Sequence, residues 1–283
     1  MDARLQRRVQ RYGWDRAAGA YEAGWQHQLE PAQRLMLEMA DPQPGDAVLD
    51  VACGTGLVSF RAAARVGREG SVVGTDISGE MVEAARRRMA EGGGVNVRFE
   101  RGEAEELAFA DAVFDVALCA LGLMYVPDPI RALREMHRVL RPGGVAAVAV
   151  WGARRACGWA KIFPITDARV ASDVCPMFFH LGTGDALALA FQAAGFAAPR
   201  VSRISTGLHY ASAEAALAAA FRGGPVAMAY SRFDEATRAE VHAEYLESIA
   251  AHRSGDGYRI PGEFVVAAAR LPPVPTATGG ATR

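Results

Sequence analysis

The chain has 283 residues, enough for one large α/β domain with insertions. Hydrophobic residues make up 51% of it, so a sizeable core can be buried and global disorder is excluded. The formal net charge of -1 provides no bulk attraction to nucleic acid or to an anionic membrane surface. We therefore expect neither nucleic acid nor a membrane as a partner.

The sequence shows no sign of export, membrane insertion or metal binding. The N-terminal stretch MDARLQRRVQ lacks the apolar core of a signal peptide, and no apolar run is long enough to cross a bilayer. The four cysteines form no C-x-x-C pair and no zinc-ligand spacing. These features predict a reduced, cytoplasmic protein without a metal site.

Residues 1–45 have the amphipathic pattern of a helical lid, which ends at the turn-rich stretch DPQPGD. Between residues 46 and 152, apolar strand-like runs alternate with helix-like segments. The predicted strands are AVLDVA, SVVGTD, VNVRFE, AVFDVALCAL and GGVAAVAVWG, and the predicted helices between them are LVSFRAAARV, SGEMVEAARRRMA and DPIRALREMHRVL. Continuous apolar strands separated by helices predict an α/β, Rossmann-like core: a parallel sheet with helices on both faces.

Residues 153–270 show a weaker pattern, interpreted as substrate-side loops, cap helices and the final strands of the same domain. The predicted order is a loop over 157–176, a helix at GDALALAFQAAGF, a strand at PRVSRISTGLHY, an Ala-rich helical stretch over 212–250 and a last strand at EFVVAAAR. The tail, residues 271–283, is rich in Pro, Thr and Gly and is predicted to be disordered.

The stretch VLDVACGTG runs from the first apolar strand straight into glycines. A phosphate-binding P-loop requires a Lys after its last glycine, and none follows Gly56. A dinucleotide fold is closer, but Asp50 is unfavourable there because a carboxylate repels pyrophosphate oxygens. A ligand with a positive centre and a zwitterionic end suits Asp50 and the backbone N–H groups of the glycine loop.

With these residues the chain resembles the class I S-adenosylmethionine-dependent methyltransferases, most closely the ubiquinone/menaquinone branch, over about Ala47 to Ala149. VLDVACGTG resembles the first motif, with Ala52 in place of a glycine, and VVGTDIS places Asp76 at the ribose hydroxyls. RGEAEELAF resembles the adenine-side motif, and FDVALCALGLMYVPDP and LREMHRVLRPGG resemble the motifs of the fourth and fifth strands. The resemblance implies a seven-stranded, mostly parallel sheet with a reversed final strand and a helical cap between the last two strands.

The resemblance also implies S-adenosylmethionine as the cofactor and S-adenosylhomocysteine as its product. Within the adenine-side motif, Glu103 and Ala104 are favoured over Glu105 as neighbours of the base. The full set of residues expected around the cofactor is Tyr21, Asp50, Ala52, Gly54, Thr55, Gly56, Asp76, Ile77, Met81, Gly102, Glu103, Ala104, Glu105, Cys119 and Ala120.

The methyl acceptor is expected to be a small organic molecule. Nucleobase methyltransferases of this fold carry [ND]-P-P-[YF] after the fourth strand, where this chain reads CALG. The expected substrate residues are Trp25, Tyr125, Trp151 and His180. If the acceptor must lose a proton, His180 or His209 is the candidate base, because histidine titrates near neutral pH.

The alternatives are a non-catalytic binding module, an NAD-dependent oxidoreductase, and arsenite methylation through thiolates of Cys157 and Cys175. The atom that accepts the methyl group is not determined by the sequence, and a homodimer is left open.

Overall fold

The computed structural model describes residues 2–92, 96–170, 175 and 177–273, with one mixed sheet at its centre. The strands are β1 (Ala47–Val51), β2 (Ser71–Asp76), β3 (Val97–Arg101), β4 (Phe114–Ala120), β5 (Leu140–Trp151), β6 (Arg200–Tyr210), β7 (Arg253–Ser254) and β8 (Gly257–Arg270). The helices are α1 (Ala3–Ala40), α2 (Leu57–Val66), α3 (Gly79–Gly92), α4 (Pro129–Val139), α5 (Ile162–Asp167), α6 (Ala186–Ala193), α7 (Ala213–Leu217), α8 (Ala227–Tyr230) and α9 (Glu235–Ser248).

The sheet has the strand order β3-β2-β1-β4-β5-β8-β6. Strands β1 to β5 pair in parallel, and β8 runs antiparallel between β5 and β6. The two-residue strand β7 pairs with the start of β8 and adds an eighth strand to the predicted seven. The predicted fold class is confirmed: a Rossmann-like, mostly parallel sheet with flanking helices and a reversed final strand.

The central parallel strands are largely apolar where helices cover the sheet, whereas the edge strand β3 alternates buried and exposed residues. In β1, Val48 and Leu49 are fully buried, as are most residues of β5. The helices begin where the sequence supplies caps: Ser78 Oγ accepts a hydrogen bond from the Met81 backbone N–H at the start of α3, and the Asp128 carboxylate accepts one from Arg131 N–H at the start of α4. The strand ends that carry the predicted motifs are thereby brought to one edge of the sheet.

Helix α1 is one continuous helix of 38 residues, where a helical lid was predicted. Its buried face, which includes Trp25, Leu29 and Met36, packs on the sheet and on the insert between β6 and β8. The Trp25 indole Nε1 donates to the Ala219 carbonyl oxygen at 3.2 Å. A Cβ at Gly24 would lie 2.8 Å from the Ala219 Cβ, so this glycine permits the close approach of α1 to the insert.

The region after β5 departs from the prediction in three places. The Ala-rich stretch over 212–250 is divided into α7, a π-helical turn (Ala218–Arg222), α8 and α9, because Gly223, Gly224 and Pro225 interrupt it. The predicted loop over 157–176 contains α5, and the final strand begins at Gly257 rather than Glu263. Most of the predicted disordered tail, from residue 274 on, lies outside the described residues.

No helix within the described ranges combines the length and apolar character that crossing a bilayer requires.

Candidate active site

A cavity opens at the carboxyl ends of β1 to β4, the edge where parallel α/β sheets bind ligands. Its empty space, including the mouth and the solvent there, is about 760 Å³. Residues of α1 line one side of the cavity opposite the strand ends. The lining residues are Arg7, Gln10, Trp14, Tyr21, Ala52, Gly54, Asp76, Ile77, Met81, Gly102, Glu103, Ala104, Glu105, Ala120, Leu121, Gly122, Tyr125, Val126 and Pro127.

Asp76 is the last residue of β2, and its carboxylate is held rigidly at the cavity wall. Oδ2 accepts a hydrogen bond from Gly54 N–H and Oδ1 accepts one from Ser78 N–H, each at 2.9 Å. The residue is only 8% exposed, and burial raises the pKa of its carboxyl group to about 6 despite these two bonds. Asp76 is therefore a fixed acceptor whose charge changes at mildly acidic pH.

The glycine loop after β1 differs from residue to residue. Gly54 lines the cavity, whereas Gly56 does not. Gly56 has φ of +84°, and a Cβ there would lie 2.8 Å from the Phe99 ring, so packing beneath the loop requires glycine. Gly54 supports the site directly, and Gly56 supports the shape of the loop.

Asp50 lies beneath the loop rather than in the cavity wall. Its Oδ2 accepts a hydrogen bond from Ser59 Oγ at 2.6 Å, and burial raises the pKa of its carboxyl group to about 7. Asp50 Oδ1 is buried without a hydrogen-bond partner among the described residues, and so is Thr55 Oγ1. Buried polar atoms normally have partners, so two unpartnered oxygens beside the loop indicate a missing ligand or water.

Ala52 occupies the position where the first motif usually has glycine, and the structure shows what permits the change. Ala52 has φ of +55°, which is uncommon for a residue with a Cβ. Its neighbour across the cavity wall is Gly122, where an added Cβ would lie 2.3 Å from the Ala52 Cβ. The methyl group of Ala52 fits in the loop because Gly122, which lies against it, has no Cβ.

The glutamates Glu103 and Glu105 of the adenine-side motif differ in burial and in how closely they contact Arg7. Glu105 is 4% exposed; its Oε2 accepts from Arg7 Nε at 2.5 Å and its Oε1 from Asp128 N–H at 3.0 Å. The side chain of Glu103 is 50% exposed and lies 3.6 Å from Arg7 Nε. Glu105 therefore connects α1 to the loop, and Glu103 with Ala104 presents the available surface.

Most of the residues expected around the cofactor line this one cavity. Those that do are Tyr21, Ala52, Gly54, Asp76, Ile77, Met81, Gly102, Glu103, Ala104, Glu105 and Ala120. Asp50, Thr55, Gly56 and Cys119 do not line it and lie beneath its wall. Sequence reasoning missed Arg7 and Gln10, for which the only available signal was the polar content of the predicted lid helix, whereas Trp14 was expected on the acceptor side and lines both cavities.

A second, aromatic cavity of about 310 Å³ adjoins the first. The two cavities share Trp14, Tyr21, Leu121 and Tyr125 as lining residues. The other residues that line the aromatic cavity are Trp25, Leu29, Met124, Trp151, Trp159, Gly224 and Pro225. The predicted substrate residues Trp25, Tyr125 and Trp151 are thus brought together, and Trp159 is a further member that the sequence did not indicate.

The predicted histidines lie elsewhere. His180 is exposed in the turn before α6, and His209 is exposed on β6, where its backbone exchanges hydrogen bonds with the Gln28 side chain. His209 lines a separate open groove with His27 and Arg259. Neither His180 nor His209 is among the residues that line the two cavities. A base role for either histidine, and a substrate role for His180, stay predictions.

Cys157 and Cys175 are buried, as are the other two cysteines. Burial raises the pKa of the Cys157 thiol to about 11 and that of Cys175 to about 12. Thiols with such pKa values are protonated at neutral pH, whereas metalloid binding requires thiolates. This environment disfavours arsenite methylation.

The fold and the cavity define a Rossmann-like α/β protein with a ligand site at the strand carboxyl ends, and sequence comparison gives its family. The methyltransferase-domain family matches residues 48–144. Nocamycin O-methyltransferase from Saccharothrix syringae is 32% identical over 260 residues, which span 86% of this chain and 91% of that protein. Demethylmenaquinone methyltransferase from Listeria monocytogenes is 41% identical over 121 residues, which span 43% of this chain and about half, 51%, of that enzyme.

The chain belongs to the class I S-adenosylmethionine-dependent methyltransferases, enzymes that transfer a methyl group from S-adenosylmethionine. Solved structures show the same fold at low identity. The YcgJ protein of Bacillus subtilis aligns with a TM-score of 0.59 at 20% identity, covering 86% of this chain and 99% of that one. The [4+2]-cyclase SpnF aligns with a TM-score of 0.56 at 23% identity, covering 88% and 83%.

Proposed function

We propose that this enzyme methylates an oxygen atom of a small organic acceptor, with the cofactor in the first cavity and the acceptor in the aromatic cavity. The observation that carries the proposal is the junction of the two cavities, where Trp14, Tyr21, Leu121 and Tyr125 line both. A reaction between two ligands requires that their sites meet, and here they meet behind the helical lid α1.

The residues of the first cavity suit the cofactor. The Asp76 carboxylate would accept the ribose hydroxyls, Glu103 and Ala104 would lie beside the adenine, and the loop at Gly54 would hold the amino-acid end. The unpartnered Asp50 Oδ1 and Thr55 Oγ1 lie beneath that loop, where ordered water would satisfy them. When bound, the cofactor supplies a methyl group already activated by its sulfonium centre.

The protein's own task is then alignment. An acceptor oxygen placed in line with the methyl carbon forms the new O–C bond as the S–C bond breaks, and holding the two ligands together supplies much of the rate. A hydroxyl acceptor would lose its proton to solvent water at the mouth of the first cavity, so that the neutral ether and S-adenosylhomocysteine are the products. The cavity walls exclude water through Trp25, Trp151 and Trp159, each nearly fully buried.

We prefer oxygen over carbon as the accepting atom because the alignment with the O-methyltransferase covers more of both chains than the alignment with the demethylmenaquinone enzymes. The nocamycin enzyme, named for O-methylation, aligns over most of both chains, so its resemblance includes the acceptor side. The demethylmenaquinone enzymes align over about half of their length. C-methylation is the second candidate, favoured by the higher identity within that shorter match.

The test is methyl transfer itself. The protein, incubated with methyl-tritiated S-adenosylmethionine and a panel of phenols, enols and naphthols, should label at least one organic-extractable product, and Asp76→Ala should label much less of it at the same sub-saturating cofactor concentration. The product's methyl NMR shift then separates O–CH₃ from C–CH₃. Cofactor binding without any transfer would contradict the proposal and favour a binding module or, as in the cyclase that shares this fold, another reaction.

A further inference from the structure

The residues that line the aromatic cavity indicate what kind of acceptor it binds. Six aromatic side chains line it: Trp14, Tyr21, Trp25, Tyr125, Trp151 and Trp159. Trp151 and Trp159 have ring centroids 4.8 Å apart, and Trp25 lies 5.9 and 5.8 Å from them. Such a wall offers large flat surfaces and favours an equally flat, apolar ligand.

A hydrogen-bond donor in this wall is left without a partner among the described residues. Trp159 is 3% exposed, and its indole Nε1 is buried with no acceptor among the described residues. The Trp25 indole, by contrast, donates to the Ala219 carbonyl oxygen. Leaving a buried N–H unpaired is costly, so the Trp159 position is explained if a bound molecule brings the acceptor atom.

Tyr125, which lines both cavities where they join, carries a second hydrogen-bond donor, its hydroxyl group. Its ring is fixed between Trp14 and Phe178, at centroid distances of 5.1 and 5.3 Å. Burial raises the pKa of this hydroxyl well above its usual range, so it stays protonated and able to donate. Two neutral donors thus lie in the wall of one apolar space.

The lack of charged residues among those described in this wall favours a neutral ligand over an ionic one. The residues described as lining the aromatic cavity include no Asp, Glu, Lys or Arg, and burying an unpaired charge among apolar groups is costly. An aromatic cage also attracts ammonium groups. An ammonium acceptor, however, would bring no lone pair to the two donors and would be repelled by the sulfonium charge at the junction.

We infer that the acceptor is a flat, uncharged ring system bearing oxygen, and that the Trp159 indole N–H donates a hydrogen bond to an oxygen of it. This inference rests on the proposed function and names the substrate class of its acceptor cavity. Trp159 is a positioning and specificity residue: it selects among ring systems by the oxygen they carry.

The test measures binding of two matched probes, 2-naphthol and naphthalene, to the protein saturated with S-adenosylhomocysteine, by equilibrium dialysis. The quantity of interest is the ratio of their dissociation constants, because both probes lose the same packing when a tryptophan is made smaller. We expect wild type to prefer 2-naphthol, and Trp159→Phe to reduce that preference about three- to tenfold, the loss of one neutral hydrogen bond.

Trp25→Phe is the matched control, since it removes a similar volume from the same wall but an N–H that already has a protein partner. It should weaken both probes alike and keep the preference for 2-naphthol. An equal loss of preference in Trp25→Phe would overturn the inference, as would unchanged preference in Trp159→Phe, which would mean that another group, such as the Phe178 ring, satisfies this N–H. Tighter binding of 2-naphthylmethylammonium than of 2-naphthol would overturn it in favour of a cationic acceptor.

Affinity for S-adenosylhomocysteine, measured on every variant, separates this inference from the proposed function. Trp159 does not line the cofactor cavity, so Trp159→Phe should bind S-adenosylhomocysteine as wild type does. If wild type binds it and transfers methyl groups but shows no preference between the probes, the substrate class is wrong and the proposed function stands. If wild type does not bind it, the proposed function itself fails.

Discussion

The two cavities of this protein are built in different ways. One side of the cofactor cavity is lined by residues at the ends of successive strands of one sheet, Ala52 after β1, Asp76 at the end of β2 and Gly102 after β3, and the opposite side is lined by residues of α1. The aromatic cavity takes its wall from α1, the turn after β4, the end of β5, the segment before α5 and the insert. The first cavity includes charged side chains and has one wall built from short local stretches, whereas the second is lined by uncharged residues from distant segments.

Because the two cavities differ in most of their lining residues, cofactor binding and acceptor binding can be changed independently. Changes to the strand-end residues should affect the cofactor, and changes to the tryptophan wall should affect the acceptor, with Tyr21 and Tyr125 belonging to both.

Asp76→Ala should produce the largest effect. A carboxylate that accepts two ribose hydroxyls makes charge-assisted bonds of roughly 1.5–3 kcal/mol, so affinity for S-adenosylhomocysteine should fall at least about tenfold. Calorimetric titration measures this, with Asp111→Ala, an exposed carboxylate bound to Arg138, as the control. Equal affinity in a folded Asp76→Ala protein would show that the cavity holds its ligand some other way.

Gly122→Ala should destabilise the protein by roughly 1–3 kcal/mol, because its new Cβ would lie 2.3 Å from the Ala52 Cβ. Ala52→Gly removes that clash and the positive φ cost, so the double variant should recover most of the loss in denaturant unfolding. Gly19→Ala, with no atom within 4 Å of its added Cβ, is the control and should be neutral or slightly stabilising. Strict additivity of the two changes would refute the paired arrangement.

The affinity for S-adenosylhomocysteine should depend on pH through Asp76. Burial raises the pKa of this carboxyl group to about 6, and only the ionised form accepts both ribose hydroxyls. Affinity should therefore be highest above pH 7 and decline, by up to about tenfold per pH unit, as pH falls below 6. Asp76→Asn should flatten the profile. If the decline persists there and disappears in Asp50→Asn, then Asp50, whose pKa burial raises to about 7, is the titrating group.

The smallest effect is expected for the histidines. His180 and His209 are exposed and line neither cavity, so His180→Ala and His209→Ala should change the turnover rate less than about threefold. Loss of a true general base would cost about 10²–10⁴ in rate while leaving cofactor affinity intact. A loss of that size in either variant would place the histidine at the acceptor and require α1 or the insert to move.

The sequence predicted the cofactor half well, because its signals are local. Strand β2 and helices α2 and α4 lie within one residue of the predicted bounds, since apolar runs, caps and glycines mark them. Glu103 as the neighbour of the adenine stays a prediction, and only the structure shows that Arg7 and the Asp128 backbone N–H donate hydrogen bonds to Glu105.

The acceptor half could not be predicted to the same depth. Trp159 carries no local pattern, and its meeting with Trp25, more than a hundred residues earlier in the chain, depends on how α1 crosses the sheet. The helical character of the insert was expected from its alanines, but the points where Gly223, Gly224 and Pro225 divide it into separate helices were not predicted. Contacts between distant segments, unlike a strand-end motif, produce no local pattern in the sequence from which they could be predicted.

The central claim, that the strand-end cavity is a site for the methyltransferase cofactor, is tested most directly by isothermal titration of the wild-type protein with S-adenosylhomocysteine and, separately, with NAD. We expect S-adenosylhomocysteine to bind at one site with a dissociation constant on the order of micromolar or tighter, and NAD to give no binding heat. Binding of NAD with no binding of S-adenosylhomocysteine would contradict the account.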